Sequence, residues 1–405
     1  MTERDRDGLQ NRPLHIFIST GEVSGDLQGS LLVAALHRMA QAQNQTVDIM
    51  ALGGRRMAAA GATLVGDTTG IGSVGIVEAL PFVLPTLEVQ RQAHAQLKLH
   101  PPDAVVYIDY MGPNLALGKY VRQHLPQVPT AYYIAPQQWV WAFSQRDTEA
   151  LVSISDRMLA VFPQEAEYYR QFSSAVTWVG HPLVDRFSPP PDAAAARSRL
   201  GLSSAARVIT LLPASRRQEI RYVVPVMLAA AQRIQAQHPD VQFLVPVSME
   251  KLRPALTAAI ARAGLKAQLV DGSTQDAIAA ADVVINKSGT VNLETALMNV
   301  PQVVVYRLNP LTARIAYYLL KFRVPFVSPV NLVVESEIVP ELIQWHATPA
   351  AIAEAALTLL TDTKARAKMQ AGYATLRDRM GQPGVCDRAA AEILRLAMGS
   401  ASPVS

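Results

Sequence analysis

Short apolar runs alternate with longer amphipathic segments along most of the chain. The short runs are rich in β-branched residues, and several are apolar at every position, as strands buried on both faces of a parallel sheet are. The longer segments between them repeat their apolar residues with a helical period. The pattern therefore predicts an α/β fold with strands at residues 16–18, 47–50, 104–108, 131–134, 158–162, 208–212, 241–247, 268–270, 283–285 and 303–306.

This alternation occurs twice, on either side of a proline-rich break at Ser188-Pro189-Pro190-Pro191. A chain of 405 residues is long enough for two domains of ordinary size. We therefore predict two doubly wound, Rossmann-like domains that face a cleft, followed by helices that begin after Thr348-Pro349. The predicted divisions are a polar tail at 1–13, a first domain at 14–186, a second domain at 187–365, and C-terminal helices with a tail at 366–405.

Composition and charge exclude several classes of protein. Half of the residues are hydrophobic and 17% are charged, which is typical of a packed globular chain. The formal charge of +4 is small and not clustered, so we expect no nucleic-acid partner. Cys386 is the only cysteine, which excludes a disulfide within the chain and fits a reducing compartment.

Targeting segments and metal sites are not expected either. The start of the chain is charged and polar, and no stretch of about 18 apolar residues follows it. We therefore expect neither a signal peptide nor a membrane-spanning helix, and we expect a cytoplasmic location. The eight histidines are scattered, and the only Asp-x-Asp pair, Asp5 and Asp7, lies in the polar tail, so no set of metal ligands is predicted.

A turn rich in small residues, TGEVSGDLQG at 20–29, joins the first predicted strand to the first helix. Such a turn at a helix N-terminus is typical of a ligand site. Gly21, Gly25 and Gly29 recur at every fourth position, so they do not form the G-x-G-x-x-G pattern of dinucleotide-binding domains. The residues alone leave two interpretations open: a ligand-binding turn, or a tight βα turn with close helix packing.

A second strand–loop–helix unit follows the strand at 283–285. We expect the first helix amides to favour a phosphate, with Gly289 allowing close approach and the hydroxyls of Ser288 and Thr290 capping the helix or binding phosphate oxygens. One turn into the helix, Glu294 is placed to accept hydrogen bonds from two ribose hydroxyls. The alternative is an ordinary capped helix with a solvated glutamate.

Two further strand ends carry candidate side chains. Arg216 follows the strand at 208–212, where its guanidinium would offer several donors to a phosphate, and a surface arginine is the alternative. Asp109 follows the apolar strand at 104–108, at the edge where open α/β sheets keep their active groups. Apolar surroundings raise the pKa of a carboxylate, which suits a general base, whereas the alternative role is to cap the next helix.

Taken together and in order, these stretches resemble the lipid-A-disaccharide synthases, which are glycosyltransferases with the two-domain GT-B architecture. The resemblance runs from about residue 14 to residue 394 and depends on many short motifs, none of which suffices alone. The matching pieces are GEVSGD, GG.RM...G, VGIVEAL, PD....ID ending at Asp109, P..WVWA, VGHPL, LLP.SR..EI, SGT..LE.AL, YR..PLT and VSPVNLV....IVPELIQ.

The resemblance implies a specific reaction. UDP-2,3-diacylglucosamine is joined to 2,3-diacylglucosamine 1-phosphate with inversion at the anomeric carbon, and the products are UDP and a β-1,6-linked disaccharide 1-phosphate. By motif, Asp109 is the base that takes the proton of the acceptor 6-hydroxyl. Neither a cofactor nor a metal is implied, and whether the chain forms a homodimer is left open. The implied nucleotide-sugar residues are Arg216, Ser288, Gly289, Thr290, Glu294, Arg307 and Asn331, and the implied acceptor-side loop contains Gly21, Glu22, Ser24, Gly25 and Asp26.

The chain departs from the family pattern mostly on the acceptor side. YMGPN replaces APDFN after the implied base, so that Gly112 stands where the family has a second acid. Gln137 and Gln138 change a motif that usually reads VSPSVWAW. On the nucleotide side, Ala214 replaces an expected glycine, and Lys287 stands where a small residue is usual and would add a phosphate contact. The acceptor and its acyl chains are therefore the least determined part of the substrate.

Three other functions are weighed against this one. Another GT-B enzyme that acts on a UDP-sugar, such as an N-acetylglucosaminyltransferase or a UDP-N-acetylglucosamine epimerase, would share the second domain but not GEVSGD and VGIVEAL. A non-enzymatic lipid- or nucleotide-sugar-binding protein would be expected to lose Asp109 or the Ser-Gly-Thr and Glu294 set, and all are present. A Rossmann dehydrogenase would need the glycine pattern that the opening turn lacks.

The segment 71–87, IGSVGIVEALPFVLPTL, is strongly apolar and is followed by Arg91, His94 and Lys98. Two prolines make it too interrupted to span a membrane. Apolar residues beside a basic flank are typical of contact with an anionic membrane surface, and a buried helix pair is the alternative. We predict that the chain is a peripheral protein of the cytoplasmic membrane's inner face, and that the residues entering the leaflet and admitting the acyl chains are Phe82, Val83 and Leu84.

Overall fold

The structure is a computed structural model that describes residues 12–71, 82–140, 144–173, 175–214, 217–247, 249–314 and 325–401. Residue contacts divide the chain into two compact units. The first unit contains the described residues up to Asp185 and those from Met380 onward, and the second runs from Arg186 to Arg379. Each unit is built on its own parallel sheet.

In the described part of the first unit, seven parallel strands lie in the order β3-β2-β1-β4-β5-β6-β7. The strands are β1 (Leu14–Thr20), β2 (Val47–Gly53), β3 (Thr63–Asp67), β4 (Ala104–Ile108), β5 (Thr130–Tyr133), β6 (Arg157–Ala160) and β7 (Val176–Trp178). The helices between and after them are α1 (Glu22–Ala42), α2 (Arg55–Ala59), α3 (Val83–Leu99), α4 (Met111–His124), α5 (Gln145–Ser153), α6 (Pro163–Arg170) and α7 (Leu183–Arg186).

The described part of the second unit has six parallel strands in the order β10-β9-β8-β11-β12-β13. They are β8 (Val208–Leu212), β9 (Gln242–Pro246), β10 (Ala267–Val270), β11 (Val283–Lys287), β12 (Gln302–Tyr306) and β13 (Glu341–Ile343). The helices are α8 (Ala193–Arg199), α9 (Arg217–Tyr222), α10 (Val224–Gln237), α11 (Arg253–Ala263), α12 (Thr274–Ala279), α13 (Val291–Leu297), α14 (Pro310–Arg314), α15 (Pro329–Val334), α16 (Pro349–Thr361) and α17 (Thr363–Met380), and α18 (Val385–Ala401) returns to the first unit.

Both sheets are doubly wound around a central pair of strands. The chain runs outward from β1 to β3 and then crosses to β4 on the other side of β1, and β8 to β11 repeat the same path. The strand order therefore reverses between β1 and β4 in one sheet and between β8 and β11 in the other. Ligands of open parallel sheets bind beyond the carboxyl ends of such strand pairs.

The central strands are almost entirely buried, because they are covered on both faces. All five residues of β4 and all five of β8 are buried, which explains why their sequences do not alternate. In the first unit, Phe17, Tyr107 and Tyr132 are fully buried in one hydrophobic cluster with residues of α4. These strands form a rigid base for the loops that follow their carboxyl ends.

The predicted parallel α/β architecture and helical C-terminus are confirmed. Helix α16 begins at Pro349, and its N-cap residue Thr348 accepts a hydrogen bond from the amide of Ala351 at 3.2 Å. Three described strands were not predicted, namely β3, β7 and β13, and each is short and lies at a sheet edge. In the described ranges, no helix is both long and apolar enough to cross a membrane.

The C-terminal helices are shared between the units. The sequence-based division sets 366–405 apart from both domains. The contacts instead assign 366–379 to the second unit and the described residues from Met380 onward to the first. The carboxylate of Asp185 accepts hydrogen bonds from the amides of Gly384, Val385 and Cys386 at 2.7–3.1 Å, which fixes the start of α18 within the first unit.

Candidate functional site

Asp109 is the first residue after the buried strand β4, and its backbone amide donates to the carbonyl of Ile134 at 3.0 Å. Asp109 and Tyr110 both have left-handed backbone conformations, with φ values of 49° and 48°. Consecutive left-handed residues other than glycine are uncommon and often mark functional sites. The sequence predicted apolar surroundings for this carboxylate, but the residue is exposed. The N-cap residue of α4 is Tyr110, one position beyond Asp109.

Two buried side chains hold the main chain of Asp109 in this conformation. The side-chain amide of Asn114 donates to the carbonyl of Asp109 at 2.8 Å, and the hydroxyl of Tyr132 donates to the same carbonyl at 2.7 Å. Asn114 also accepts a hydrogen bond from the hydroxyl of Ser19 at 2.7 Å, which joins the end of β1 to the end of β4. Sequence reasoning missed both residues. The signal for Asn114 was a polar residue, five positions after Asp109, in a helix turn that is otherwise small or apolar.

The opening loop packs directly against this site. A Cβ atom on Gly21 would lie 2.3 Å from the ring of Tyr110, so only glycine leaves room for that ring. A Cβ atom on Gly25 would lie 1.9 Å from the hydroxyl oxygen of Thr20. Close packing therefore accounts for both glycines. Glu22 and Ser24, which follow Gly21 in the chain, are partly exposed.

Asp26 has a structural partner inside the same unit. Its side chain is buried, and its carboxylate accepts hydrogen bonds from the amides of Arg56 at 3.2 Å and Met57 at 3.1 Å. These are the second and third residues of α2, whose N-cap residue Gly54 has no side chain to cap them. The carboxylate of Asp26 therefore supplies the missing cap.

A buried carboxylate fixes the loop that follows β5. Glu165 accepts hydrogen bonds from the amides of Ala135 at 3.2 Å, Val161 at 2.8 Å and Phe162 at 3.3 Å. Burial raises the pKa of Glu165 to about 8, against the lowering effect of these three amides. The carboxyl ends of β5 and β6 are thereby held together next to the end of β4.

The departures on the acceptor side lie close to Asp109. The side-chain amide of Gln138 contacts the sulfur of Met111 at 3.3 Å, and Met111 is the first residue of α4. A Cβ atom on the neighbouring Gly112 would meet no atom within 4 Å, so the missing side chain leaves open space there. Gln137 is exposed. Two of these departures, Gln138 and Gly112, thus lie at the first turn of α4, just after Asp109 in the chain.

In the second unit, side-chain hydrogen bonds hold the Ser-Gly-Thr loop at residues 288–290 in place. The hydroxyl of Ser288 donates to the carbonyl of Val327 at 3.0 Å, and the amide of Gly289 donates to the side-chain oxygen of Asn292 at 2.9 Å. Thr290 is the N-cap residue of α13, and its side chain makes no capping hydrogen bond. The sequence predicted that the hydroxyls cap the helix or bind phosphate oxygens. The hydroxyl of Thr290 does not cap the helix, so phosphate binding stays the prediction for it, and the amide of Gly289 has a partner within the loop.

Lys287 and Glu219 form an ion pair at this loop. The ammonium nitrogen of Lys287 lies 3.3 Å from a carboxylate oxygen of Glu219, and the two side chains are only 16% and 14% exposed. A Cβ atom on Gly289 would lie 2.9 Å from the same nitrogen, so the ammonium lies over the main chain of the loop. The pair joins the end of β11 to α9, the helix that follows β8.

The other nucleotide-side candidates differ in exposure. Glu294, in the first turn of α13, and Arg307, just beyond β12, are partly exposed. Asn331 is fully buried, and its amide donates to Val339 at 2.8 Å and to Glu341 at 2.7 Å. The side chain of Asn331 thus supports the loop before β13 from inside. Ala214 is buried, and Arg216 lies outside the described residues.

Comparisons with known proteins agree with this arrangement. A family model for lipid-A-disaccharide synthetase matches residues 16–395. The lipid-A-disaccharide synthase of Gloeothece citriformis is 52% identical over 381 residues, which cover 94% of this chain and 99% of the relative. That of a Synechocystis species is 50% identical over 388 residues, with coverages of 95% and 98%.

Solved structures show the same architecture at low sequence identity. A UDP-N-acetylglucosamine 2-epimerase from Neisseria meningitidis, solved with UDP-GlcNAc, has a TM-score of 0.65 at 11% identity and covers 95% of this chain and 100% of that chain. MurG from Acinetobacter baumannii has a TM-score of 0.53 at 16% identity, with coverages of 95% and 100%. These neighbours place the fold in the GT-B class, and the family match separates this chain from both. The chain belongs to the lipid-A-disaccharide synthase family of glycosyltransferases.

Proposed function

We propose that the chain transfers 2,3-diacylglucosamine from UDP-2,3-diacylglucosamine to the 6-hydroxyl of 2,3-diacylglucosamine 1-phosphate, with Asp109 as the general base. The observation that carries this assignment is the exposed aspartate after β4, held in a left-handed conformation by Asn114 and Tyr132. We assign the acceptor to the first unit, where Glu22 and Ser24 are partly exposed near the same strand end. The UDP part of the donor is assigned to the second unit.

In the proposed step, a carboxylate oxygen of Asp109 accepts the proton of the acceptor 6-hydroxyl, while the oxygen of that hydroxyl attacks the anomeric carbon of the donor. The bond from the anomeric carbon to the UDP oxygen breaks, and its electron pair leaves with UDP. Attack opposite to the leaving group inverts the anomeric configuration without an enzyme nucleophile. The negative charge that develops on the diphosphate then needs fixed positive partners.

The proposed nucleotide site lies at the carboxyl ends of β8, β11 and β12. Glu294 is assigned to the ribose hydroxyls, and Arg307 is assigned to the nucleotide as a cation beyond β12. The loop of Ser288, Gly289 and Thr290 forms the wall of this site, with Asn331 supporting the neighbouring loop. The role of Arg216 in binding the diphosphate stays a prediction.

The direct test is a product analysis. Purified protein is incubated with the diacylated UDP-sugar and the diacylated sugar 1-phosphate, and the products are identified by mass spectrometry and NMR. A β-1,6-linked disaccharide 1-phosphate and stoichiometric UDP are expected, and Asp109→Asn should form neither at a comparable rate. An epimerised UDP-sugar, or transfer to a different acceptor, would instead favour another GT-B activity.

We also propose that helix α3 contacts an anionic membrane surface through its first turns. Val83, Leu84 and Leu87 are 47%, 77% and 59% exposed, which is unusual for large apolar side chains grouped on one helix end. Phe82, the N-cap residue, is partly buried, and residues 72–81 lie outside the described residues. The proposed substrates carry acyl chains, and a patch that contacts a membrane would bring the protein to substrates of this kind.

The basic flank of the patch is smaller than the sequence suggested. Arg91 is exposed and lies 3.0 Å from Glu88, so its charge is partly compensated. Burial, with a smaller contribution from His124, lowers the pKa of His94, whose ring stacks on Tyr120 at 3.8 Å. Lys98 is exposed. Apolar insertion should therefore contribute more to membrane binding than charge does.

Sedimentation with phosphatidylglycerol-containing vesicles tests the patch. The double variant Val83→Ser, Leu84→Ser should reduce the bound fraction by about tenfold or more, because each buried apolar side chain contributes roughly 1.5–3 kcal/mol. Leu99→Ser is the matched control, since Leu99 is 69% exposed at the other end of the same helix. Equal loss from both variants, or no loss from the double variant, would contradict the assignment.

A further inference from the structure

We infer that Lys287 binds the nucleoside diphosphate and that Glu219 is the partner it gives up when it does so. This inference rests on the proposed nucleotide site in the second unit and adds to it a cation and its competing anion. The pair lies at the carboxyl ends of β8 and β11, the adjacent strands between which the strand order reverses. This is where a parallel sheet of this kind presents a ligand.

The position of the ammonium group is specific. The nitrogen of Lys287 lies over Gly289, at 2.9 Å from where a Cβ atom of that residue would be, so a side chain at 289 would displace it. The carbonyl of Lys287 is held by Asn292 at 3.1 Å, and Asn292 is fully buried. Both ends of the lysine are therefore fixed at the loop instead of extending into solvent.

An ion pair of this kind is a poor device for stability alone. Its two side chains are only 16% and 14% exposed, and the cost of removing two charges from water offsets most of their attraction. A lysine ammonium is a compact point charge with three donors, which suits it to bind phosphate oxygens in changing positions. A diphosphate carries more charge than a carboxylate and offers more acceptor atoms, so it can replace Glu219 as the partner of Lys287.

If Lys287 exchanges Glu219 for a diphosphate, substitutions of these two residues should affect ligand binding, whereas substitutions in a purely structural ion pair should not. Removing the ammonium group takes away attraction for the diphosphate, and removing the carboxylate charge takes away both a competitor and a repulsion. Both substitutions break the same ion pair and should destabilise the second unit to a similar extent. Their effects on diphosphate affinity should have opposite signs.

The experiment measures the binding of UDP and of uridine to the full-length chain by calorimetry. We expect Lys287→Met to weaken UDP binding by at least about tenfold. Glu219→Gln should strengthen UDP binding, and neither variant should change the affinity for uridine, which has no phosphate. Lys287→Arg should recover part of the lost UDP affinity, because the positive charge is restored.

The ion pair of Arg197 and Asp282 provides the control. A guanidinium nitrogen of Arg197 lies 3.1 Å from a carboxylate oxygen of Asp282, and the two side chains are 16% and 24% exposed. Asp282 directly precedes β11, so this pair lies at the end of the strand opposite to Lys287. Arg197→Met should lower the melting temperature but leave UDP affinity unchanged. UDP affinities that change in the same direction for both Lys287→Met and Glu219→Gln would overturn the inference, as would no change in Lys287→Met. Wild-type protein that binds UDP no better than uridine would overturn the proposed nucleotide site itself.

Discussion

The two units use the same framework to hold side chains of opposite charge. Ile108 pairs with Thr20 at the end of β1, and Asn286 pairs with Leu212 at the end of β8, so Asp109 and Lys287 occupy equivalent positions one residue further on. Each is followed, five residues later, by a fully buried asparagine in the next helix. Asn114 donates to the carbonyl of Asp109 at 2.8 Å, and Asn292 donates to the carbonyl of Lys287 at 3.1 Å.

The frameworks differ in what the asparagine oxygen accepts. The oxygen of Asn114 bonds to the hydroxyl of Ser19 on the neighbouring strand, which ties the loop to β1. The oxygen of Asn292 bonds to the amide of Gly289, which closes the loop on itself. The first unit thus presents an exposed carboxylate on a fixed backbone, whereas the second keeps its cation covered. An exposed base suits proton transfer from an acceptor, and a covered cation suits an anionic leaving group.

The largest effect on activity should come from removing the negative charge of Asp109. Asp109→Asn removes the proposed proton acceptor and keeps the shape of the side chain, so turnover should fall by roughly 10²–10⁴-fold. UDP affinity should stay within about twofold of wild type, because the nucleotide is assigned to the other unit. Steady-state kinetics and UDP titration on one preparation decide this. Near-normal turnover combined with a lowered melting temperature would make Asp109 a structural residue.

The two buried asparagines should have different effects on catalysis when they are replaced. Asn114→Ala leaves the carbonyls of Ile108 and Asp109 without this partner and should lower kcat by about 10²-fold through misplacement of the base. Asn292→Ala should instead raise the KM for the UDP-sugar, since it releases Lys287 and Gly289. Each variant should also lose about 1–3 kcal/mol of unfolding free energy.

The measurement is a split between kcat and KM for the two substrates, with unfolding free energies as the control. If the asparagines only stabilise their own unit, the two variants should lose stability alike and show no such split. An Asn114 variant that raises only the KM for the UDP-sugar would contradict the division of acceptor and nucleotide between the units.

The nucleotide side has a test at Glu294. Glu294→Ala removes an acceptor assigned to two ribose hydroxyls, each worth roughly 1.5–3 kcal/mol when the acceptor is charged. Titration calorimetry should show weaker binding of both UDP and uridine, since both contain the ribose. This outcome differs from Lys287→Met, which should affect UDP alone. Unaltered affinity for both ligands would place the ribose elsewhere.

The sequence predicted the largely buried central strands but missed three of the four edge strands in the described sheets. The fourth edge strand, β10, is partly exposed and was predicted at 268–270. A central strand such as β4 has no polar position, so its pattern is unambiguous. Every residue of the edge strands β3 and β13 is at least partly exposed, and β7 has only three residues, so no apolar run marks these strands. Edge strands depend on pairing with a neighbour, and that partner is not visible in a local pattern.

Only part of the candidate site could likewise be predicted from the sequence. The location of Asp109 at a strand end follows from the apolar run before it, and the two doubly wound α/β domains follow from the double alternation. The roles of Asn114, Tyr132 and Asp26 could not be predicted, because each depends on a backbone group that is distant in sequence or in an unusual conformation. Long-range hydrogen bonds leave no period in the chain.

The smallest expected effect comes from removing the hydroxyl of Tyr132. This change tests whether Tyr132 positions the carbonyl of Asp109 or only contributes to packing. Tyr132→Phe keeps the buried ring but removes the hydroxyl that donates to this carbonyl, while the bond from Asn114 remains. We expect a loss of about 0.5–1.5 kcal/mol in unfolding free energy and a severalfold fall in kcat, with the KM for UDP-sugar unchanged. Tyr107 is the matched control, because it pairs with Tyr132 across β4 and β5 and is also fully buried.

The hydroxyl of Tyr107 has no hydrogen-bond partner among the described residues. Tyr107→Phe therefore removes an unpaired buried polar group, and it should leave the protein equally stable or more stable with an unchanged kcat. Denaturant unfolding and initial rates on the two variants give the answer. Equal losses from both would mean that the tyrosines matter only for packing, and that the left-handed backbone at Asp109 is maintained without the hydroxyl of Tyr132.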